Sequence, residues 1–367
     1  MTRILAACNI FGLNTSTIHE LFLNSSIQWC DLRTRLVRFF NYKLDYDMNP
    51  QENRRSFIKK SAILSTMVYA PLQSLASIYA DSKRKFRMSI NPGAVGVKLS
   101  QEELLDMAVK YGFEAIVPFS DTLVGWGETG ISEFVDKMKT KNISWGAAGL
   151  PMNFRTDEET HRKGLHELPK FAWALNKAGV TRMSTWIMPT HSYLTYLQNF
   201  KQHARRLKDI CIILGDHDIH FGLEYVGPKT LMASQRYSFI RSMAECKELI
   251  QEVDEPNIGF QLDSFHWYCA GETKEDILSL TNKDIITVDL NDARQGFAPD
   301  EQIDQKRELP MATGVVDLKS FMDALVAIGY DGPIRAEPFN QALNELENEE
   351  ALKKTSEAMK KAFDLVG

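Results

Sequence analysis

Cysteines and basic clusters are both scarce in this chain of 367 residues. The five cysteines include no C-x-x-C pair and no regular spacing, so neither a disulfide framework nor a zinc knuckle is indicated. We expect them to behave as small apolar residues. Lys and Arg number 43 against 48 Asp and Glu, and no dense basic stripe follows residue 90. Nucleic acid is therefore not an expected partner.

The sequence also lacks an apolar run of the roughly 20 residues that a membrane-spanning helix needs. The apolar stretch at 62–76 is short and is interrupted by Pro71. It follows Arg54, Arg55 and Phe57, and this combination resembles a twin-arginine export signal. A basic amphipathic helix at the start of the fold is the alternative interpretation.

An export signal belongs at the start of a chain, yet 47 residues precede Met48, which would suit as the start. We interpret residues 1–47 as a mis-assigned or disordered leader and residues 48–82 as the signal region, with cleavage near Ala80. This predicts a bacterial, periplasmic protein that the twin-arginine translocase exports.

From residue 86 onward, strand-like and helix-like segments alternate eight times. The predicted strands are 86–92, 113–119, 143–151, 180–189, 219–227, 258–266, 284–292 and 332–339. The predicted helices are 101–112, 131–141, 158–178, 193–214, 236–252, 274–280, 317–329 and 343–365. This period favours the α/β class and a (β/α)8 TIM barrel as one catalytic domain over residues 86–366. An open doubly wound sheet is the alternative, but no glycine-rich phosphate loop follows the first strand.

Carboxylates stand at the ends of four successive predicted strands: Glu224, Asp263, Asp289 and Glu337. In a (β/α)8 barrel the carboxyl ends of the strands form the active face, so these four groups should converge. Their mutual repulsion would raise their pKa values unless a cation lay between them. We predict one divalent metal ion there, and the oxygen-rich ligand set favours Mg²⁺ or Mn²⁺.

The segments around these residues resemble the sugar phosphate isomerase/epimerase family of xylose-isomerase-like TIM barrels, over about residues 86–366. The similar segments are LEYVGPKT (223–230), QLDSFHWYCAGE (261–272), VDLNDA (288–293), TGVVDLKSFMDALVAIGYDGPI (313–334) and AEP (336–338). The resemblance implies that Glu, Asp, His and Glu hold the metal. Asp289 stands where the family usually has histidine, which favours Mg²⁺ or Mn²⁺ over Co²⁺ or Zn²⁺.

The same resemblance implies a sugar or keto-sugar isomerase or epimerase that works through a metal-stabilised enediolate. Glu224 and Glu337 then transfer the proton, while His266 matches the substrate-binding histidine and Arg294 lies near the substrate arginine. An exported enzyme fits a small free or oxidised sugar better than a sugar phosphate, and the chain could form a homo-oligomer.

Further substrate contacts are expected from His191 and Arg155, and from the tryptophans near strand ends, which are Trp126, Trp145, Trp186 and Trp267. Two other functions stay open at this point. One is a 3-keto-glycoside lyase or hydrolase, in which the same base and metal drive β-elimination. The other is a carbohydrate-binding barrel without catalysis. The related DNA-repair endonucleases need many histidines and a basic groove, which this chain lacks.

Overall fold

The computed structural model describes residues 84–367, so the predicted leader and the motif at Arg54, Arg55 and Phe57 lie outside the described residues. The strands within them are β1 (Arg87–Ile90), β2 (Ala115–Ile116), β3 (Ser144–Trp145), β4 (Ala148–Gly149), β5 (Arg182–Ile187), β6 (Thr190–His191), β7 (His220–Tyr225), β8 (Tyr237–Ser238), β9 (Ile258–Asp263), β10 (Ile285–Asp289) and β11 (Pro333–Arg335).

Nine of these strands form one parallel sheet, in the order β3, β2, β1, β11, β10, β9, β7, β5, β4. Its two ends, β3 and β4, are separated by two residues of the same segment, 144–149. The sheet therefore closes on itself with eight strand positions, which confirms the predicted (β/α)8 barrel.

The helices that follow the strands are α1 (Gln101–Tyr111), α2 (Ser120–Thr140), α3 (Glu158–Lys177), α4 (Tyr196–Gly215), α5 (Lys229–Met232), α6 (Met243–Val253), α7 (Ser264–Ala270), α8 (Lys274–Leu278), α9 (Leu318–Ala327), α10 (Gln341–Asn344) and α11 (Asn348–Phe363). Helix α1 shows why such bounds are readable from the sequence. Ser100 and Glu103 form a capping box at its start, and Gly112 ends it in the left-handed conformation, with φ of 78°.

Three of the boundaries that differ from the prediction have a clear physical cause. Helix α2 begins at Ser120 rather than near 131. Its first half contains glycines, including Gly127 with φ of 62°, and glycines in a sequence are typical of loops. The predicted helix 236–252 begins only at Met243, because Tyr237–Ser238 pairs antiparallel with β6. The predicted strand 258–266 ends at Asp263, whose side chain caps helix α7 by accepting from the backbone N–H of Phe265.

The apolar core fills the barrel and the space between its strands and the surrounding helices. The cysteines within the described residues, Cys211, Cys246 and Cys269, are buried free thiols, as small apolar residues would be. None of the described helices is long and apolar enough to cross a membrane.

Candidate active site

The four predicted carboxylates meet at the carboxyl ends of the strands. Glu224 is the penultimate residue of β7, Asp263 and Asp289 end β9 and β10, and Glu337 lies two residues beyond β11. Each offers an oxygen atom, and these atoms all lie within 4.8 Å of one another. Asp263 and Asp289 are register partners, so their convergence follows directly from strand pairing.

Each aspartate is anchored by an arginine. Asp289 accepts from Nε and Nη2 of Arg335 at 2.7 and 3.2 Å, and from the Gln261 amide at 2.7 Å. Asp263 accepts from Nη1 of Arg307 at 2.7 Å and from the Asn291 amide at 2.9 Å. Both aspartates are therefore fixed in position as charged acceptors.

The two glutamates differ from the aspartates, because no described residue donates a hydrogen bond to their carboxylate oxygens. Oε1 of Glu224 is buried and has no partner. The cations nearest to Glu337, Arg307 and Arg335, both lie 3.7 Å from its oxygens. Since β9 and β10 lie between β7 and β11, the two glutamates flank the anchored aspartates from opposite sides.

Burial and crowding raise the pKa values in this cluster. Burial is the largest cause for Glu337, whose pKa rises to about 7, and the charge of Asp289 adds to it. Burial likewise raises the pKa of Asp263 to about 6, against the opposing effect of Arg307. The pKa of Glu224 is raised well above its usual value by burial and then by the charge of Glu337. A group with a pKa near 7 can both take and give a proton at neutral pH.

Arg307 connects the residues of the site, although no sequence pattern pointed to it. Its guanidinium lies over the rings of Phe265 and Phe339, at 5.1 and 4.6 Å, and Nη2 donates to Asp304 at 2.7 Å. Phe339 adopts φ of 42°, an unusual conformation for a bulky residue that holds its ring against the arginine. Burial alone would lower the pKa of Arg307, but the charges of Asp263 and Asp304 outweigh it and keep the group cationic.

His266 lies within this network as a neutral imidazole. Its pKa is held well below the usual value by burial and then by the charge of Arg307. Nη2 of Arg307 lies 3.1 Å from Nε2 of His266, so Nε2 accepts and the proton resides on Nδ1. Nε2 also lies 3.6 Å from Oε1 of Glu224, which brings His266 to the cluster as predicted from the sequence.

A cavity of about 920 Å³ opens above the cluster, and Glu224, His266, Arg307 and Glu337 line it. Its size matches that of pockets for small molecules. Arg155 also lines it and lies over the Trp186 ring at 4.2 Å. His191 is not in its wall but lines a neighbouring cavity.

Some predicted substrate contacts lie away from this pocket. Trp126 packs inside α2 against the Phe134 ring at 4.9 Å, so its stacking role does not fit the structure. Arg294 lies over the Phe297 ring at 4.1 Å and is not part of the pocket wall. Among the four tryptophans considered as stacking groups, Trp186 alone lines the pocket.

The residues of the cluster fit a divalent cation. The ligand set consists of hard carboxylate oxygens, and Oε1 of Glu224 is a buried acceptor without a partner. Burial, and after it the charge of neighbouring carboxylates, raises the pKa values of Glu224, Asp263 and Glu337. A second group of possible ligands combines Glu224 and Asp263 with His266. Both oxygens of Asp289 and both oxygens of Asp263 already accept hydrogen bonds, so the two glutamates are the more available ligands.

The cavity, the barrel and the convergent acids define a TIM-barrel protein with its site at the carboxyl ends of the strands. A family model described as "Xylose isomerase-like TIM barrel" matches residues 105–362, and the chain belongs to this family. This confirms the xylose-isomerase-like TIM barrel that the sequence motifs predicted.

Individual relatives agree with this assignment. An inosose isomerase of Bacillus velezensis is 22% identical over 259 residues, which cover 69% of this chain and 88% of that protein. A xylose isomerase domain protein of Alicyclobacillus acidocaldarius has a TM-score of 0.68 at 27% identity, covering 77% of this chain and 99% of that chain. The IOLI protein, solved with a zinc atom, has a TM-score of 0.63 at 20% identity, covering 76% of this chain and 98% of that chain.

Sugar 3-epimerases share the fold as well. The D-psicose 3-epimerase of Clostridium cellulolyticum has a TM-score of 0.57 at 13% identity, covering 77% of this chain and 96% of that chain. The names of the curated relatives agree with the predicted isomerase class.

Proposed function

We propose that this protein is a divalent-metal-dependent sugar or keto-sugar isomerase or epimerase, in which Glu224 and Glu337 transfer the proton. One observation carries the proposal. Two glutamates without hydrogen bonds to their carboxylates flank two arginine-anchored aspartates at the bottom of one pocket. Carboxylates that serve only as structural ion pairs would not be left unpaired in a buried position.

The chain's own residues supply most of this chemistry. One glutamate removes the proton from the carbon beside the substrate carbonyl, and the other returns a proton from the opposite side or to the adjacent carbon. Arg307 fixes Asp263 and His266, which keeps the pocket wall rigid around the substrate. A bound divalent ion would polarise the substrate carbonyl and offset the negative charge that develops on its oxygen.

Deuterium exchange tests the proposed reaction. Metal-loaded protein should incorporate deuterium from D₂O into at least one member of a panel of sugars and keto-sugars, observed by NMR. Exchange without fragmentation supports an isomerase or epimerase. Fragmentation would show that the protein is a lyase, and binding without exchange would show that it is a binding protein.

The metal is proposed to be Mn²⁺ or Mg²⁺, held by Glu224, Asp263, Asp289 and Glu337. We expect purified protein to contain about one divalent ion per chain, and Asp263→Ala to lose most of it. Asp289→Asn should also lose metal, because it removes one of the four carboxylates of the cluster. Elemental analysis measures all three proteins. Equal metal content in the wild type and Asp263→Ala would refute the ligand assignment.

Export to the periplasm through the twin-arginine translocase is proposed from the motif at Arg54, Arg55 and Phe57. Changing both arginines to lysine should trap the protein in the cytoplasm of a bacterial host, as cell fractionation would reveal. Unchanged recovery from the periplasm would show that the paired arginines are a coincidence.

A further inference from the structure

A second cavity, of about 320 Å³, adjoins the pocket that holds the acid cluster. Arg155, Trp186 and Met188 line both cavities, so the two spaces share a wall. The β6–β8 pair, an addition to the barrel sheet, contributes His191 to the lining. The proposed reaction makes no use of this space.

Helix α4 presents two unpaired acceptors at this cavity. Asn199 and His203 are 1% and 5% exposed, both line the cavity, and Oδ1 of Asn199 and Nε2 of His203 have no hydrogen-bond partner. Nδ1 of His203 lies 2.9 Å from the backbone oxygen of Asn199 and donates to it, so Nε2 must be an acceptor. Leaving buried acceptors unpaired is costly, which points to a ligand group that donates to them.

The remaining polar groups of the wall add neutral donors. Nδ1 of His191 accepts from the backbone N–H groups of Tyr193 and Leu194, at 3.0 and 2.9 Å, so Nε2 carries the proton. Oδ1 of Asn153 accepts from the backbone N–H of Arg155 at 3.0 Å, which leaves its amide NH₂ group as a donor. Burial lowers the pKa of His203 to about 4 and also lowers that of His191, so both rings are neutral at pH 7.

The wall carries one cation and no anion, and that cation already donates within the protein. Among the residues that line this cavity, Arg155 is the only one charged at neutral pH. Its Nε donates to the backbone oxygen of Trp186 at 2.9 Å, and its Nη2 donates to the Thr185 hydroxyl. The cavity therefore combines neutral donors and neutral acceptors with an aromatic wall, the chemistry that recognises a polyhydroxylated ring.

We propose that this second cavity binds a second sugar ring, joined to the ring that reacts at the acid cluster. The substrate is then a glycoside or disaccharide and not a free monosaccharide. The inference rests on the proposed function, which places the reacting ring at the acid cluster. The cavity volume of about 320 Å³ lies at the lower end of the range for small-molecule sites, roughly 300–1,000 Å³, which suits one ring.

Calorimetric titration of the metal-loaded full chain tests the proposal with glucose, galactose and mannose, and with cellobiose, lactose and mannobiose. At least one disaccharide should bind about tenfold or more tightly than its monosaccharide. The double variant Asn199→Leu and His203→Phe removes the two unpaired acceptors and should abolish this preference. Its binding of monosaccharides should change by less than about twofold, and its thermal stability should be equal or higher, because apolar groups replace unsatisfied polar ones.

His161→Phe is the matched control. His161 is also buried and neither ring nitrogen makes a hydrogen bond, although Nε2 lies 3.5 Å from Asp209. It does not line the cavity, so this variant should keep the preference. Absence of a preference in the wild type, or its survival in the double variant, would overturn the proposal. Because the readout is binding, a protein that prefers disaccharides but exchanges no deuterium refutes the proposed reaction while leaving this site intact.

Discussion

Replacing Glu224 or Glu337 by glutamine should lower turnover by about 10²–10⁴, the usual contribution of a positioned acid or base. Glutamine keeps an oxygen donor and nearly the same volume, so metal and substrate binding should survive in weakened form. Neither carboxylate accepts a hydrogen bond from the described residues, so neither variant removes a hydrogen bond to them. Steady-state kinetics and elemental analysis of both variants measure the effect.

The partial reaction distinguishes the roles of the two glutamates. If one variant still exchanges the substrate proton with D₂O but no longer inverts the centre, the two residues serve opposite faces and the enzyme is an epimerase. If each variant loses both proton exchange and turnover, the result fits transfer of the proton to the adjacent carbon. Near-normal turnover in both would assign the proton chemistry elsewhere, and His266, with Nε2 3.6 Å from Glu224, would be the next candidate.

Glu272→Gln is a suitable control for this pair. Burial raises the pKa of Glu272 to about 7, as it does for Glu337, yet Glu272 does not line the pocket. Its carboxylate accepts from the Tyr225 hydroxyl and from the backbone N–H of Met243. Turnover of this variant should stay within about threefold of the wild type, which would separate loss of a base from loss of any buried carboxylate.

The acid cluster was predictable because it depends on two regularities of the sequence. Strand-like segments recur with the period of a barrel, and parallel strands bring their carboxyl ends to one face. The four carboxylates therefore converge independently of the loop conformations; they are Glu224, Asp263, Asp289 and Glu337. The alternation of side chains along a strand could also have revealed Arg335, which lies two residues before Glu337 and so faces the same side.

Arg307 could not have been predicted in the same way. It belongs to the long connection between β10 and α9, where no periodic pattern relates sequence position to position in space. Arg294 lies in the same connection. The family resemblance placed it near the substrate, and in the structure its side chain lies over Phe297. Side chains on strands can be placed from periodicity, whereas those on loops depend on packing that sequence does not encode locally.

Removing Arg335 should cost about 3–5 kcal/mol of stability, because breaking a buried ion pair leaves an uncompensated charge. Arg335 is buried and makes two hydrogen bonds to Asp289, which is itself surrounded by the other carboxylates of the cluster. We therefore expect Arg335→Met, studied free of metal, to unfold at a much lower denaturant concentration than the wild type. The double variant Asp289→Asn and Arg335→Met should recover most of that loss, because neither charge remains.

Metal should then rescue the single variant selectively. Without Arg335, Asp289 is free to coordinate a cation, and a ligand that binds only the folded state stabilises it by mass action. Added Mn²⁺ should therefore stabilise Arg335→Met more than it stabilises the wild type or the double variant. Arg206→Met is the matched control. Arg206 is also buried, but it donates to the backbone oxygens of Phe154 and Thr156 and to the exposed carboxylate of Glu158, outside the acid cluster, so Mn²⁺ should not rescue this variant. Wild-type stability of metal-free Arg335→Met would mean that the Asp289–Arg335 pair does not hold the cluster together.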